Sequence, residues 1–251
     1  MAFTVTARHS GATGQGSAQT LASSSAAPTA DSLLLVFAIA QSNSHGTEPN
    51  WPAPSGGSAS YVLRDTTAPT DTGQYANYRT ASAFWTAEVG PSPSAHTVTI
   101  DPNSGSSDYF QSVLSCDVTG HSGIVRWAKV GVNTPYGDGH SGSVALPSAP
   151  TAGNLLLLHV GRSNDESAPA SAPTMGSGKG FTQLFNQTEP YNSGGLWYRV
   201  ADGTESPTVS VADLGQQVGA YTAFLLELSP ADGEPTVDPE PVDTAGFFRL
   251  F

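Results

Sequence analysis

Large apolar residues in this chain come in short runs separated by clusters of Gly, Pro, Asn and Ser. Leu33–Ile39 and Leu155–Val160 are almost unbroken, whereas Thr97–Ile100 and Thr208–Val211 alternate apolar with hydroxylated residues. Runs of five to nine residues bounded by turn formers mark strands, and no longer stretch carries the 3.6-residue stripe of an amphipathic helix. A strand that is apolar at every position is covered on both faces or lies deep in a sandwich, and an alternating one has a wet face. The pattern therefore predicts an all-β protein built from jelly-roll-like antiparallel β-sandwich modules.

The pattern occurs twice. Pro28-Thr29-Ala30-Asp31-Ser32-Leu33-Leu34-Leu35-Val36 is echoed by Pro150-Thr151-Ala152-Gly153-Asn154-Leu155-Leu156-Leu157-Leu158. Phe84-Trp85-Thr86-Ala87-Glu88-Val89-Gly90, leading to Thr97–Ile100, aligns with Trp197-Tyr198-Arg199-Val200-Ala201-Asp202-Gly203, leading to Thr208–Val211. Phe110–Val118 aligns with Tyr221–Leu228. Three blocks in one order indicate an internal repeat of one structural unit. We place two tandem modules at 1–119 and 120–229, differing in loops, the longest insertion being Gly46–Thr80 in the first.

Beyond Ser229 the composition changes. Residues 230–244 form an acidic, Pro-rich stretch with too little apolar surface to pack, which reads as an extended linker. Residues 245–251 then carry Phe247, Phe248, Leu250 and Phe251, a hydrophobic peptide that needs a cover and reads as a docking peptide for a groove on another subunit.

Charge narrows the classes of partner. The net charge of -12 repels a phosphate backbone and an anionic membrane surface, and the Lys and Arg residues are scattered. Neither nucleic-acid binding nor membrane insertion is expected. Met1–Val5 lacks a basic stretch leading into an apolar one, so synthesis in a cytoplasm without export is expected. The single cysteine, Cys116, sits among Val113, Leu114 and Val118, where a buried, inert thiol is expected, and it leaves no partner for an intrachain disulfide.

Candidate chemistry is sparse. His9, His45, His96, His121 and His140 lie among loop-type residues, and His159, between Leu158 and Val160, reads as capping or facing out from a strand. None belongs to a catalytic motif, so no enzyme, cofactor or metal site is expected. Asp101–Asp108 places oxygen side chains at alternate positions, but Ser112 stands where an EF-hand needs its bidentate Glu, and an Asx turn fits better. Tyr136–His140 reads as a hairpin turn. Trp51, Tyr61, Tyr75 and Tyr78 make the first module's insertion aromatic, offering a surface for host polysaccharide if two rings face solvent together.

Pro150–Leu158, Gly180-Phe181-Thr182-Gln183-Leu184, Trp197–Glu205 and Ala223–Leu228 follow one another in an order that resembles the β-sandwich virion proteins of tailed phages, especially minor tail proteins of phages infecting actinobacteria. In the first module Tyr61-Val62-Leu63 is the only candidate for the second of these blocks. The resemblance implies a structural protein of the virion, assembled in the host cytoplasm: a minor tail or tail-tip subunit, forming a homo-oligomer and contacting other virion proteins. A head decoration protein and a carbohydrate-binding module that contacts the host surface are the alternatives.

Overall fold

The computed structural model describes residues 2–16, 20–42, 50–68, 79–102, 109–133, 142–163, 174–175, 179–189, 192–211 and 220–231. Its strands, in chain order, are β1 (Thr4–Gly16), β2 (Leu21–Ala22), β3 (Leu33–Ser42), β4 (Val62–Thr67), β5 (Arg79–Glu88), β6 (Thr99–Ile100), β7 (Tyr109–Thr119), β8 (His121–Asn133), β9 (Gly142–Ala145), β10 (Leu155–Ser163), β11 (Thr174–Met175), β12 (Lys179–Gly180), β13 (Thr182–Glu189), β14 (Asn192–Val200), β15 (Thr208–Val211) and β16 (Ala220–Pro230). The fold is all-β and antiparallel.

Two five-stranded sheets dominate, ordered β1-β7-β3-β5-β4 and β8-β16-β10-β14-β13. Smaller sheets accompany them, β2-β6 in the first half and β9-β15-β11-β12 in the second. In the second half β8, β9, β10, β11–β12, β14, β15 and β16 alternate between the large and the small sheet in jelly-roll order, with β13 added at one edge. In the first half β3, β4 and β5 instead follow one another within the large sheet. The chain passes from β7 into β8 through Gly120 alone, whose φ of 72° turns it sharply. A Cβ there would lie 2.6 Å from the Ala2 carbonyl oxygen, so a side chain is excluded.

The two large sheets repeat each other pair by pair. Leu33 pairs with Val118 and Glu88 as Leu155 pairs with Leu228 and Val200. Val62 pairs with Thr86 as Thr182 pairs with Tyr198, and both strands then bulge at the next step. Part of the Gly46–Thr80 span read as an insertion is thus β4, the counterpart of β13, beginning beside Tyr61-Val62-Leu63. The register also corrects the second block by one residue. Trp197 matches Trp85, opposite Leu158 and Val36 respectively, and Leu196 matches Phe84. A slip of one residue would put each indole on the wrong face of its sheet, and packing decides against it.

Three cores result. One fills the first sandwich around Trp85, Val36, Val98 and Ile100, and one fills the second around Trp197, Leu158, Val209 and Val211. The third is shared: Leu33, Leu35, Phe37, Phe84, Leu114, Cys116 and Val118 of the first module pack on Leu155, Leu157, Leu196, Phe224, Leu226 and Leu228 of the second. Alternate residues of β3 and β10 face their own sandwich and the neighbouring module, which is why both strands are apolar throughout. Cys116 is buried there, and burial pushes its thiol well above the ordinary range.

The repeated turn is held by a buried carboxylate on the last strand of each module. Asp117 accepts the Thr29 N–H at 2.6 Å and pairs with Arg8 at 2.5 Å. Glu227 accepts the Thr151 N–H at 2.8 Å and the Asn154 amide at 2.7 Å, and pairs with Arg126 at 2.5 Å. Asp31 (φ 55°) and Gly153 (φ 84°) occupy the same left-handed position in the two turns.

Three histidines differ from expectation, one of them His121, which opens β8 opposite Pro230. His9 lies within β1 and is fully buried, and His159 lies mid-strand in β10, buried between the modules. Neither is a loop or outward-facing residue, because the sheets close over both.

Candidate functional site

The shared core has approximate two-fold character. Phe37 and His159, equivalent residues of β3 and β10, stack on each other across it with centroids 5.0 Å apart and planes at 13°. Phe84 of β5 meets Phe224 of β16 at 5.0 Å. Ser82 and Thr222 bond through their hydroxyls at 2.5 Å, and exchanging the modules carries this contact onto the approach of Gly194 to Ser112. Each module thus offers the same face to the other, as in an isologous dimer, but within one chain. Burial lowers His159 from the ordinary 6.5 to a pKa of about 3, so the imidazole at this junction is neutral.

The two flanks of the junction are built differently. Where β13 meets β1, Phe3, Val5, Leu184 and Phe185 close over the shared core. Where β4 meets β8, Asp65 and Arg64 replace Phe185 and Leu184 at the equivalent bulge. Asp65 accepts the Trp127 Nε1–H at 2.8 Å and the Lys129 ammonium at 2.6 Å. Burial alone would raise the Asp65 carboxyl, but these donors outweigh it and hold it below the ordinary carboxylate range. Arg64 Nε donates to Thr86 Oγ1 at 2.7 Å. Between the strands a cavity of about 110 Å³ opens, lined by Leu33, Arg64, Glu88, Gly123, Ile124 and Trp127.

This flank also carries most of the exposed large apolar side chains among the described residues. Five large apolar residues stand out among those described, and four are on these two strands: Val62 (50% exposed), Leu63 (43%), Val125 (52%) and Trp127 (37%). Of the four, Trp127 lines the cavity, while Val62 and Leu63, successive along β4, point to opposite faces of their sheet.

A second concavity, of about 230 Å³, lies in the first module beside Ala59, Glu88, Pro91, Pro93, Ser94 and His96. His96 forms its wall, tied at Nδ1 to the Ser94 carbonyl at 3.0 Å and at Nε2 to the Tyr61 hydroxyl at 3.3 Å. Behind it, 5.0 Å away, lies the His9 ring. His9 Nε2 faces the carbonyls of Ala26 (3.3 Å) and His96 (3.2 Å), which only accept, so Nε2 carries the proton and Nδ1 accepts from the Ser115 hydroxyl at 2.7 Å. Burial, then the neighbouring His96, lowers the His9 pKa and keeps it neutral. A serine bonded to a histidine has the composition of a nucleophile and its base, but Ser115 and His9 are both fully buried, so a substrate has no approach. Among the described residues no three His, Cys, Asp or Glu side chains come together as metal ligands.

Of the aromatic residues singled out in the sequence, Trp51 is only 8% exposed and meets Trp85 edge-on at 5.7 Å, so it offers no open face to a sugar. Tyr61 is half-buried, its hydroxyl turned to His96 and to the Gly56 carbonyl at 3.3 Å. Tyr75 and Tyr78 lie outside the described residues, as do Phe247, Phe248, Leu250 and Phe251, the Asn103–Asp108 part of the oxygen-rich loop, His45 and all of Tyr136–His140. The β4/β8 cleft is the feature that sequence reading missed. Its one legible signal is Trp127 two residues from Lys129, which puts an indole and an ammonium on the same face of a strand.

Comparison with known protein families, curated proteins and solved structures finds no match to this chain.

Proposed function

We propose that this chain is a structural protein of a phage virion, a minor tail or tail-tip subunit that assembles through its C-terminal peptide. One observation carries the reading: the residues of the repeated blocks serve the framework. The Pro-Thr-Ala turns are clamped by Asp117 and Glu227, and Trp85 and Trp197 fill the two sandwiches. Glu205 of the Trp197–Glu205 block holds its own turn, accepting the N–H groups of Asp202 and Gly203 at 2.8 and 2.9 Å and the Arg199 guanidinium at 2.8 Å. A repeat whose recurring residues all build scaffold suits a protein that is itself a building part. Jelly rolls host many functions, so the location in the particle rests on the phage resemblance and on the hydrophobic C-terminus.

Purified particles decide it. Labelling the chain and imaging the virion by cryo-electron microscopy is expected to place it at the tail tip. Label over the capsid would favour the decoration reading, and its absence from particles would end both.

A further inference from the structure

We propose that Gly120 is a hinge that keeps the shared core within one chain, and that with this hinge opened the same two faces pair between two copies, as a domain-swapped dimer. The inference goes beyond the virion reading and does not depend on it.

The junction already has the symmetry of a dimer. Equivalent residues meet on its axis: Phe37 stacks on His159, and a Cβ on Gly161 would lie 2.6 Å from Cδ1 of its counterpart Ile39. Ser82 bonds Thr222 and Phe84 meets Phe224 at matching levels along the strands. The modules therefore lie side by side with equivalent strands running in the same direction. Each face fits its partner whichever chain supplies that partner, since the shared core is made by strand residues and not by the link.

The link itself is one residue long. Thr119 ends β7 paired with Thr4, and His121 opens β8 paired with Pro230 of the other large sheet, so Gly120 alone reverses the chain between them. Its φ of 72° suits glycine, its carbonyl accepts the Ala231 N–H at 2.8 Å, and the Ala2 carbonyl oxygen leaves no room for a Cβ. With glycine the hinge closes without strain, and a short link holds the two faces at an effective concentration in the millimolar range, above that of a second copy at micromolar concentration. A side chain at position 120 removes this preference, and short hinges under strain invite exchange. An extended backbone there runs β7 on into β8 and carries the second module past the end of the first. A second chain lying antiparallel then fills both open faces, so the dimer holds two copies of the junction and closes on itself.

Ser82 and Thr222 report which chain supplies the partner, because their hydroxyls touch across the junction. One full chain carries S82C and another T222C. The two are unfolded together, refolded at about 100 µM, below the effective concentration of a short link, and oxidised. With Gly120 in place the expected products are monomers, without a disulfide joining positions 82 and 222 of different chains. With Gly120→Val in both chains, light scattering should show dimers, and roughly half of them, the share that random pairing gives, should hold the mixed disulfide, identified by mass spectrometry of the linked peptides. Gly120→Ala should give the same product in smaller amount. Folded variants that stay monomeric would overturn the proposal, as would dimers without the mixed disulfide, which associate through another surface. Loss of β structure in both variants, read by circular dichroism, would also count against it, because the swapped dimer relieves the strain that a side chain adds to the closed hinge.

Discussion

At the scale of single residues, His159 is the position whose chemistry disagrees most with its surroundings. It is the counterpart of Phe37, and burial holds its pKa at about 3 against 6.5 in the unfolded chain. The unfolded state therefore binds more protons between those values, and stability falls as pH drops from 6.5 toward 3. Between pH 7 and pH 4 the loss from this group is about 3 kcal/mol. His159→Phe should remove that component, visible as a smaller drop in the urea midpoint over the same interval. Gly161 illustrates packing at the junction: a Cβ there would lie 2.6 Å from Ile39 Cδ1. Gly161→Ala is expected to destabilise by about 1–3 kcal/mol, and Ile39→Val, which removes that methyl, should recover part of the loss in the double variant.

Among elements, the last strand of each module does two jobs. β7 and β16 sit between the first and third strands of their large sheets, and each carries the carboxylate that clamps the repeated turn. Burial by itself would raise the Glu227 carboxyl, but the Thr151 N–H, the Asn154 amide and Arg126 outweigh it and hold it below the ordinary range. A carboxylate depressed in the folded state adds stability above its unfolded pKa, and loses it as pH falls through the lower folded value. Glu227→Ala strands two donors and a half-covered guanidinium, and should cost about 3 kcal/mol in chemical denaturation. Glu227→Gln keeps the acceptor and should cost less, with a flatter acid limb.

For the whole molecule the shared core is decisive. Among the described residues Leu35, Phe37 and Leu114 share one buried cluster with Leu155, Leu157 and Phe224 of the other module, so each half buries its large sheet against the other. Heating should give one calorimetric transition whose van't Hoff and calorimetric enthalpies agree. Two resolved transitions would mean that the junction is not part of the cooperative unit. A protease site engineered at Gly120 should leave the cut halves co-eluting on size exclusion, held by the junction rather than by the peptide bond.

The all-β class and the strands around Leu33–Ile39, Phe110–Val118, Leu155–Val160 and Tyr221–Leu228 were legible in the sequence, because side-chain period and turn residues act locally and leave a direct trace. It also carried the reason for the junction, in the unbroken apolarity of Leu33–Ile39 and Leu155–Val160. Tertiary structure decided what covers the second face of those strands, a choice between a deeper sandwich and a neighbouring module that local patterning leaves open. It also decided the one-residue register of Trp197, the burial of His9 and His159, and the difference between the two flanks. Each depends on which residues meet across a sheet or a module boundary, and such contacts join positions far apart in sequence. The β4/β8 cleft belongs to that second class: Asp65 and Trp127 become one surface only when two edge strands from different modules are brought side by side.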